Sequence, residues 1–334
     1  MKQQKEALFH DGSSQFCKYN EKSDTYTFIL RTTIGAVNQA FMAIDGYEMK
    51  MSHVDTKGRF DYYAINLALG TKMIKYHFRT VGQCQLYYNV FGASEHFSEE
   101  WEFEFTPGFK TPDWAKGAVM YQIMVDRFNN GDKSNDVMTN EYAYIGRGVS
   151  KVENWMEPPA VDGTRQFYGG DLQGVIDKLE YLEKLGVEVI YFNPIFVSPS
   201  NHKYDTQDYD YIDPHFGKIV NDNGKLLEDG DNNNEHAQRY KVRTTDLANL
   251  EASNKLFVEL VEKAHAHGIK IIIDGVFNHC GSFNKWMDKE KFYTKNKNYK
   301  SGAYISKDSP YNLYFKFLED RWPDNNSFEG WWGF

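Results

Sequence analysis

The sequence predicts an all-β sandwich domain followed by an α/β domain with a parallel sheet. Three observations lead to this fold class. Apolar and polar residues alternate through the first hundred or so residues, a segment rich in Pro and Gly follows, and continuous apolar runs then alternate with segments of helical periodicity. The chain of 334 residues is long enough for two domains.

Residues 1–106 have the pattern of β-strands. The predicted strands are 26–32, 60–67, 73–79 and 85–90, which are rich in β-branched and aromatic residues and are separated by Gly, Asn and Asp. This spacing predicts a sandwich of about 100 residues. The segment 107–117 follows with two prolines and a glycine near its start, as is typical of a linker.

From residue 118 the pattern predicts βα units. The predicted strands are 118–125, 187–194 and 269–274, and the predicted helices between them are 172–185 and 250–267. Gly186 and Gly268 stand where each helix should end. Strands and helices that alternate with short helix-to-strand turns indicate a parallel sheet.

The strand-to-helix loops are long, at roughly 45 and 55 residues, and loops of that length are usually functional. In parallel barrels the loops after the strands form the working face. Asp274, Asn278 and His279 directly follow the third predicted strand and should therefore lie at that face. The polar insert 222–235 is expected to be a solvated surface loop.

Composition and charge exclude several functions. A net charge of −9 disfavours a nucleic-acid partner, and a run of 18 apolar residues, which a membrane span needs, does not occur. Three cysteines without metal-ligand spacing indicate reduced thiols. With no apolar signal segment at the N-terminus, we expect a cytoplasmic protein. The aromatic content of 16% fits core packing and also flat platforms for sugar rings or bases.

Six segments occur together in a specific order: YQIMVDRF (121–128), GGDLQG (169–174), LGVEVIYFNP (185–194), HKYDTQDY (202–209), IDPHFG (212–217) and DGVFNH (274–279). In this order they resemble the α-amylase superfamily of glycoside hydrolases. The N-terminal sandwich makes the chain most similar to the cyclomaltodextrinase, neopullulanase and maltogenic amylase branch. The resemblance covers the chain from residue 1 to its last segment, 329–334.

The resemblance implies a (β/α)8 barrel that cleaves α-1,4 and, in some members, α-1,6 glucosidic bonds of maltodextrins, cyclodextrins or pullulan with retention. Retention needs two carboxyl groups about 5–5.5 Å apart. In the family these follow the fourth and fifth strands, whereas only three strands are predicted here, within 118–334. We therefore expect a partial barrel that ends in the loop region after strand 3. No catalytic residue is expected in this chain, and the chain alone should be inactive.

The same resemblance assigns roles to five residues of the expected site. Tyr204 would stack on a sugar ring and His279 would donate a hydrogen bond to it. Asp274, Asp205 and His202 would order the site, and Asn278 is taken as structural. The acidic residues between 205 and 213 are not expected to form a catalytic pair, because such loop spacings define no geometry.

Oxygen ligands at short spacing around Gly131 have the composition of a Ca²⁺ loop, although the order is not that of an EF-hand. A polar turn is the alternative. The resemblance implies a calcium site formed by Asn130, Asp132, Asn135, Asp136, Gly169 and Asp171. No organic cofactor is expected.

The expected partners are an α-glucan oligosaccharide and the remaining C-terminal part of the enzyme. The resemblance also implies a homodimer formed through the N-terminal domain; Tyr87, Tyr88 and Trp101 of this domain are otherwise expected in its core. Trp331 and Trp332 would either stack on sugars or pack against the C-terminal part. Two other functions remain open, a non-catalytic α-glucan-binding protein and an assembly fragment.

Overall fold

The computed structural model describes residues 2–109, 111–161, 163–294 and 296–330. The chain forms two compact units, Met1–Asp113 and Trp114–Phe334. The division between them falls inside the segment 107–117. Trp331 and Trp332 lie outside the described residues.

The first unit consists of two antiparallel sheets. Its elements are α1 (Lys2–Ala7), β1 (Cys17–Asn20), β2 (Thr25–Thr33), β3 (Val37–Ile44), β4 (Tyr47–Lys50), β5 (Ser52–Lys57), β6 (Phe60–Leu67), β7 (Ile74–Gly82), β8 (Gln85–Asn89), β9 (Gly92–Ser94) and β10 (Phe103–Phe105). One sheet has the order β1-β2-β6-β5, and the other has the order β4-β3-β7-β8-β9 with β10 paired to β7. The predicted β-sandwich is therefore confirmed.

The core of the first unit follows from the alternation along its strands. Phe28 and Leu30 on β2 face Met42 and Phe78 from the other sheet in one cluster of buried side chains. Of the three aromatic residues expected in this core, Tyr88 is buried and Tyr87 is half-buried. Trp101 is the exception, because it packs edge-on against Phe91 on the surface and stays 43% exposed.

The second unit contains three parallel strands and the helices between them. Its elements are β11 (Met120–Ile123), β12 (Ala143–Tyr144), β13 (Arg147–Gly148), β14 (Ser150–Lys151), β15 (Gln166–Phe167), α2 (Leu172–Asp177), α3 (Leu179–Lys184), β16 (Val189–Phe192), β17 (Phe196–Val197), β18 (Asp208–Ile212), α4 (Gln238–Thr245), α5 (Leu247–Ala266) and β19 (Lys270–Ile273). The parallel sheet has the order β11-β16-β19. The predicted alternation of three parallel strands with helices between them is thus confirmed.

Two predicted helix boundaries differ from the structure. The helix predicted over 172–185 is two short helices, because Lys178 leaves the helical region with φ −107° and ψ 5°. Leucines of both halves still reach the same core. The helix predicted to begin at residue 250 begins at Leu247, because the Asp246 side chain accepts the Ala248 N–H and caps the first turn.

Helix α4 lies inside a segment that the sequence predicts as loop. Its buried side chains are Tyr240, Arg243, Thr244 and Thr245. A helix that buries an arginine and two threonines has no apolar stripe, so its periodicity gives no helical signal. The insert 222–235 is likewise not fully solvated, since Leu227 and Asn234 are buried.

The two outer strands of the parallel sheet each pair on one side only within the described residues. The central strand β16 is mostly buried, whereas Met120 on β11 and Ile273 on β19 are 48% and 42% exposed. A closed barrel would cover both edges. The described strands therefore form an open segment of a barrel.

Candidate active-site face

Three side chains predicted for the sugar site lie together beyond the carboxyl ends of β16 and β19. The Tyr204 hydroxyl donates to Asp274 Oδ2 over 2.8 Å. The His279 Nε2–H donates to the Tyr204 carbonyl over 3.1 Å. Asp274 is placed by the sheet itself, because its N–H continues the β16–β19 ladder to the Phe192 carbonyl. Tyr204 and Asp274 therefore meet although they are distant in sequence.

The hydrogen bonds also define the state of the two ring side chains. Since His279 Nε2 faces a carbonyl oxygen, it carries the proton, and Nδ1 can accept the Asn278 amide at 3.2 Å. Burial and the Asp274 carboxylate raise the pKa of Tyr204 to about 12. The Tyr204 hydroxyl is therefore protonated at neutral pH and acts as a donor.

Two loops that carry these side chains are joined along their length. We call them the Tyr204 loop (198–209) and the His279 loop (275–285). The Gly281 N–H donates to the Thr206 carbonyl over 3.0 Å, and the Lys285 N–H donates to the Gln207 carbonyl over 2.9 Å. The Tyr209 hydroxyl lies 2.7 Å from the His279 carbonyl and 2.8 Å from that of Val276. These contacts hold the two loops in register.

His202 and Asp205 form hydrogen bonds within the turn that carries Tyr204. The Ser200 hydroxyl donates to Asp205 and lies 3.1 Å from His202 Nδ1, which in turn accepts the Tyr204 N–H. Burial raises the pKa of Asp205 and lowers the pKa of His202. Both groups thus serve the turn that presents Tyr204, and their role as site-ordering residues remains a prediction.

The acidic residues between 205 and 213 are occupied by contacts within the protein. Lys285 pairs with Asp208 at 2.5 Å and also with Asp210. Asp213 pairs with Lys203 at 2.6 Å. Asp208, Asp210 and Asp213 are therefore each paired with a lysine, while Asp205 accepts from Ser200, and this arrangement offers no acid–base pair to a substrate.

Sequence reasoning missed a chain of buried ion pairs beneath the Tyr204 loop, which we call the ion chain. Its members alternate in sign and are Lys203, Asp213, His215, Glu141, Arg243 and Asp222. The distances between successive partners are 2.6, 2.9, 2.7, 2.8 and 2.9 Å. The first five side chains are almost fully buried. Three of the six residues lie within the segments HKYDTQDY and IDPHFG. Their membership in these segments was the only indication of the ion chain in the sequence.

Protonation within the ion chain follows from its neighbours. Burial alone would raise the pKa of Asp213, but Lys203 and His215 outweigh burial and hold that pKa well below its ordinary value. Burial alone would lower the pKa of His215, but Glu141 and Asp213 raise it above the ordinary value. His215 is therefore favoured as a cation between two carboxylates.

The six residues predicted to bind calcium form a second group after β11. Asn130 Nδ2 donates to Asp136 Oδ1 over 2.7 Å, and a Cβ added to Gly169 would lie only 2.4 Å from that same oxygen. The side-chain oxygens of Asn130 and Asn135 are buried without a hydrogen-bond partner. Both atoms are acceptors of the kind that a hard cation binds.

The acidic members of this group face other partners. Asp171 accepts the N–H groups of Gly131, Asp132 and Gly174. Asp132 accepts from Ser134 and pairs with Lys218 at 2.9 Å. Asp136 pairs with Lys151 at 2.7 Å. In the described part of the chain, no three His, Cys, Asp or Glu side chains converge as metal ligands.

Within the described residues, the helices are all too short or too polar to cross a membrane. The described cysteines Cys17, Cys84 and Cys280 form no disulfide. Both observations concern the described residues alone.

Comparison with known families places the two units. The family model of the α-amylase N-terminal Ig-like domain matches residues 1–112. The model of the α-amylase catalytic domain matches residues 122–234 and 246–332. The latter two ranges include both loops of the candidate site.

Curated relatives agree with these matches. A cyclomaltodextrinase of Thermoanaerobacter pseudethanolicus is 36% identical over 297 residues, which are 83% of this chain and 42% of that protein. Neopullulanase 2 of Thermoactinomyces vulgaris is 36% identical over 293 residues, which are again 83% of this chain and 42% of that protein. The chain therefore spans less than half the length of these relatives.

Among solved structures, the type III pullulan hydrolase from Thermococcus kodakarensis has a TM-score of 0.52 at 24% identity. The match covers 97% of this chain and 49% of that one, and it concerns the fold. Since the catalytic-domain model matches more than half of the residues, this chain belongs to the α-amylase family of glycoside hydrolases.

Proposed function

We propose that this chain is the N-terminal portion of a retaining α-glucan hydrolase, and that it supplies part of the sugar-binding site rather than the catalytic carboxylates. The observation that carries the proposal is the cluster of Tyr204, Asp274 and His279 beyond the carboxyl ends of β16 and β19. The substrates are α-1,4- and, secondarily, α-1,6-linked glucans. The nucleophile and the acid/base residue belong to a part of the enzyme outside these residues.

The chemistry that these side chains offer is binding and orientation. Tyr204 is 37% exposed and presents a flat apolar face with a fixed hydroxyl, which suits stacking on a pyranose ring. His279 can exchange its bond to the Tyr204 carbonyl for a bond to a sugar hydroxyl. Hydrogen bonds of this kind strengthen when the ring becomes oxocarbenium-like, and they then accelerate cleavage.

Hydrolysis measured with and without the downstream coding sequence tests this proposal. We expect no cleavage of β-cyclodextrin, pullulan or starch by residues 1–334 and restored cleavage when the downstream part is present. Cleavage by residues 1–334 alone would contradict the proposal. Sugar binding by calorimetry without restored hydrolysis would favour a non-catalytic α-glucan-binding protein, and neither binding nor hydrolysis would favour an assembly fragment.

His279→Ala, made in the protein that includes the downstream part, is expected to lower kcat/KM by ~10–100-fold, or about 1.4–2.7 kcal/mol of transition-state binding. The reason is the loss of the Nε2–H donor at the sugar. His267→Ala is the matched control, because His267 lies at the end of α5 and pairs with Glu183 on the surface. Equal kinetics for both variants would remove His279 from the site.

We also propose a calcium site at Asn130, Asp132, Asn135, Asp136, Gly169 and Asp171. Support comes from the two buried amide oxygens that lack donors and from the close approach of Gly169 to Asp136. Bound there, Ca²⁺ would neutralise the local carboxylates and order the loop after β11. The acidic side chains would have to turn from Lys151, Lys218 and the backbone amides toward the ion.

Calcium at about 100 times its Kd is expected to raise the free energy of unfolding by about 2.7 kcal/mol. Asn130→Ala should remove this increment, since it deletes one buried oxygen, whereas Asn298→Ala at an exposed loop position should keep it. Thermal unfolding with Ca²⁺ and with a chelator provides the measurement. An Asn130→Ala protein that calcium stabilises as much as the unsubstituted chain would rule out the site.

The partners and the location complete the proposal. The direct partners are an α-glucan oligosaccharide and the C-terminal part of the enzyme. A homodimer forms through the N-terminal domain, residues 1–106. This domain is followed by the linker 107–117 and the partial barrel 118–334. Within the residues that the structure describes, β11 and β19 each pair on one side only, which supports a further piece of barrel beside them. The unbridged cysteines fit a cytoplasmic protein.

A further inference from the structure

The residue before Tyr204 has an unusual backbone and an unusual side-chain environment. Lys203 has φ +62°, in the left-handed region that a side chain with a Cβ rarely adopts. Its side chain is 1% exposed, and its ammonium donates to the Ser198 carbonyl over 2.8 Å and lies 4.8 Å from the centre of the Phe216 ring. A lysine is almost never buried unless its charge is paired.

Asp213 supplies the charge that pairs with Lys203. Its Oδ2 accepts from Lys203 Nζ at 2.6 Å and from the Ser198 N–H at 3.0 Å. Its Oδ1 accepts from the N–H and the Nδ1 of His215, both at 2.9 Å. Asp213 is therefore bound from two sides, and the turn that contains Lys203 is tied to a rigid, buried carboxylate.

The direction of the Tyr204 side chain depends on this turn. Because Cα of residue 204 follows a left-handed residue, rotation of Lys203 toward ordinary φ would redirect the Tyr204 ring. The hydroxyl at the far end of that ring lies 2.8 Å from Asp274. A shift of the turn would therefore move the hydroxyl away from Asp274.

We propose that Lys203 is a positioning residue for Tyr204: its buried pair with Asp213 holds the turn in the left-handed conformation that aims the Tyr204 ring at Asp274 and at an α-glucan ring. The part of this inference that concerns the sugar rests on the proposed function. The part that concerns the position of Tyr204 does not.

The first test is spectroscopic and needs no substrate. 3-Fluorotyrosine is placed at position 204 alone, and its ¹⁹F resonance is followed against pH in residues 1–334. Asp274→Asn identifies the contribution of the Asp274 bond and should move the titration to lower pH. Lys203→Met is expected to move it in the same direction, and Lys263→Met, which removes an exposed lysine paired with Glu259 on α5, should leave it unchanged.

A second variant distinguishes the effect of the lost ion pair from the effect of backbone strain at position 203. Lys203→Gly tolerates positive φ and removes the ammonium, so its titration should also move to lower pH. If Lys203→Met does not fold, Lys203→Met/Asp213→Asn, which removes both charges together, replaces it. The assignment is overturned if the ¹⁹F resonance of Lys203→Gly, or of the folded Met variant, titrates at the same pH as in the unsubstituted protein. The turn would then be held without the ion pair.

Kinetics in the protein with its downstream part give the second readout. Lys203→Gly is expected to raise KM for maltodextrin about 10-fold with a smaller change in kcat. The reason is that a Tyr204 ring stacked on the sugar stabilises the bound substrate as well as the transition state. A shifted ¹⁹F titration with unchanged KM would support the positioning role and count against Tyr204 as a sugar platform. An unshifted titration would count against Lys203 whatever the kinetics show.

Discussion

Arg243→Met is expected to destabilise the second unit by about 3–5 kcal/mol, the usual consequence of removing one partner of a buried ion pair. Arg243 joins three segments, since its guanidinium donates to the Asp136 carbonyl, to Glu141 and to Asp222, each at 2.8–2.9 Å. Methionine fills a similar volume but leaves the Glu141 carboxylate, which is 0% exposed, with one cationic partner fewer.

The matched control for this prediction is Arg239→Met on the same helix. Arg239 precedes Arg243 by one helical turn, and its side chain is 24% exposed with a looser contact of 3.5 Å to Asp222. This ion pair is loose and partly exposed, and surface pairs contribute about 0–1 kcal/mol, so this variant should lose less than Arg243→Met. Urea unfolding followed by tryptophan fluorescence measures both. Similar midpoints for the two variants would mean that the ion chain does not stabilise the unit.

Gly281→Ala is expected to separate the Tyr204 loop from the His279 loop. A Cβ at position 281 would lie 2.1 Å from the Asp205 carbonyl oxygen, which is backbone and cannot rotate away. Relief requires the loops to move apart, which breaks the Gly281–Thr206 bond and costs about 1–3 kcal/mol. Tyr204 and His279 would then no longer lie side by side.

We therefore expect Gly281→Ala to lower both the stability of residues 1–334 and their affinity for maltodextrins. Gly163→Ala serves as the control in the same unit, because its added Cβ meets nothing closer than 3.7 Å and its φ is not positive. Thermal unfolding and calorimetric titration with maltoheptaose are the two measurements. An alanine at 281 that leaves both quantities at the level of the control would show that the loops are not held by this contact.

Local patterns in the sequence predicted the elements that carry the sheet. Val189 and Ile190 point to opposite faces of β16 and are both buried, so this strand reads as a continuous apolar run. Gly186 and Gly268 both adopt positive φ at helix ends, as predicted from their places after the periodic segments. These features depend on neighbours one to four residues away, so a local pattern contains the information.

The site was predicted only as far as a family resemblance extends. Motif order led to Tyr204 and His279, but not to the hydrogen bonds between them. Helix α4 was not predicted, because its buried face carries Arg243 rather than an apolar stripe. Lys203 was quoted as part of a motif, yet its burial could not be foreseen, since lysine is normally exposed.

The sequence by itself determined the order of the three parallel strands and of the helical segments that begin at residues 172 and 247, the two-domain organisation and the family, because periodicity and motif spacing are properties of the chain alone. Only the tertiary structure decided which charges are buried together and which loop residues meet. Lys203, Asp213, His215, Glu141 and Arg243 come from four separate segments, and their alternation of charge exists only after folding brings those segments into contact. Electrostatic pairing depends on distance in space, and no local pattern in the sequence encodes that distance.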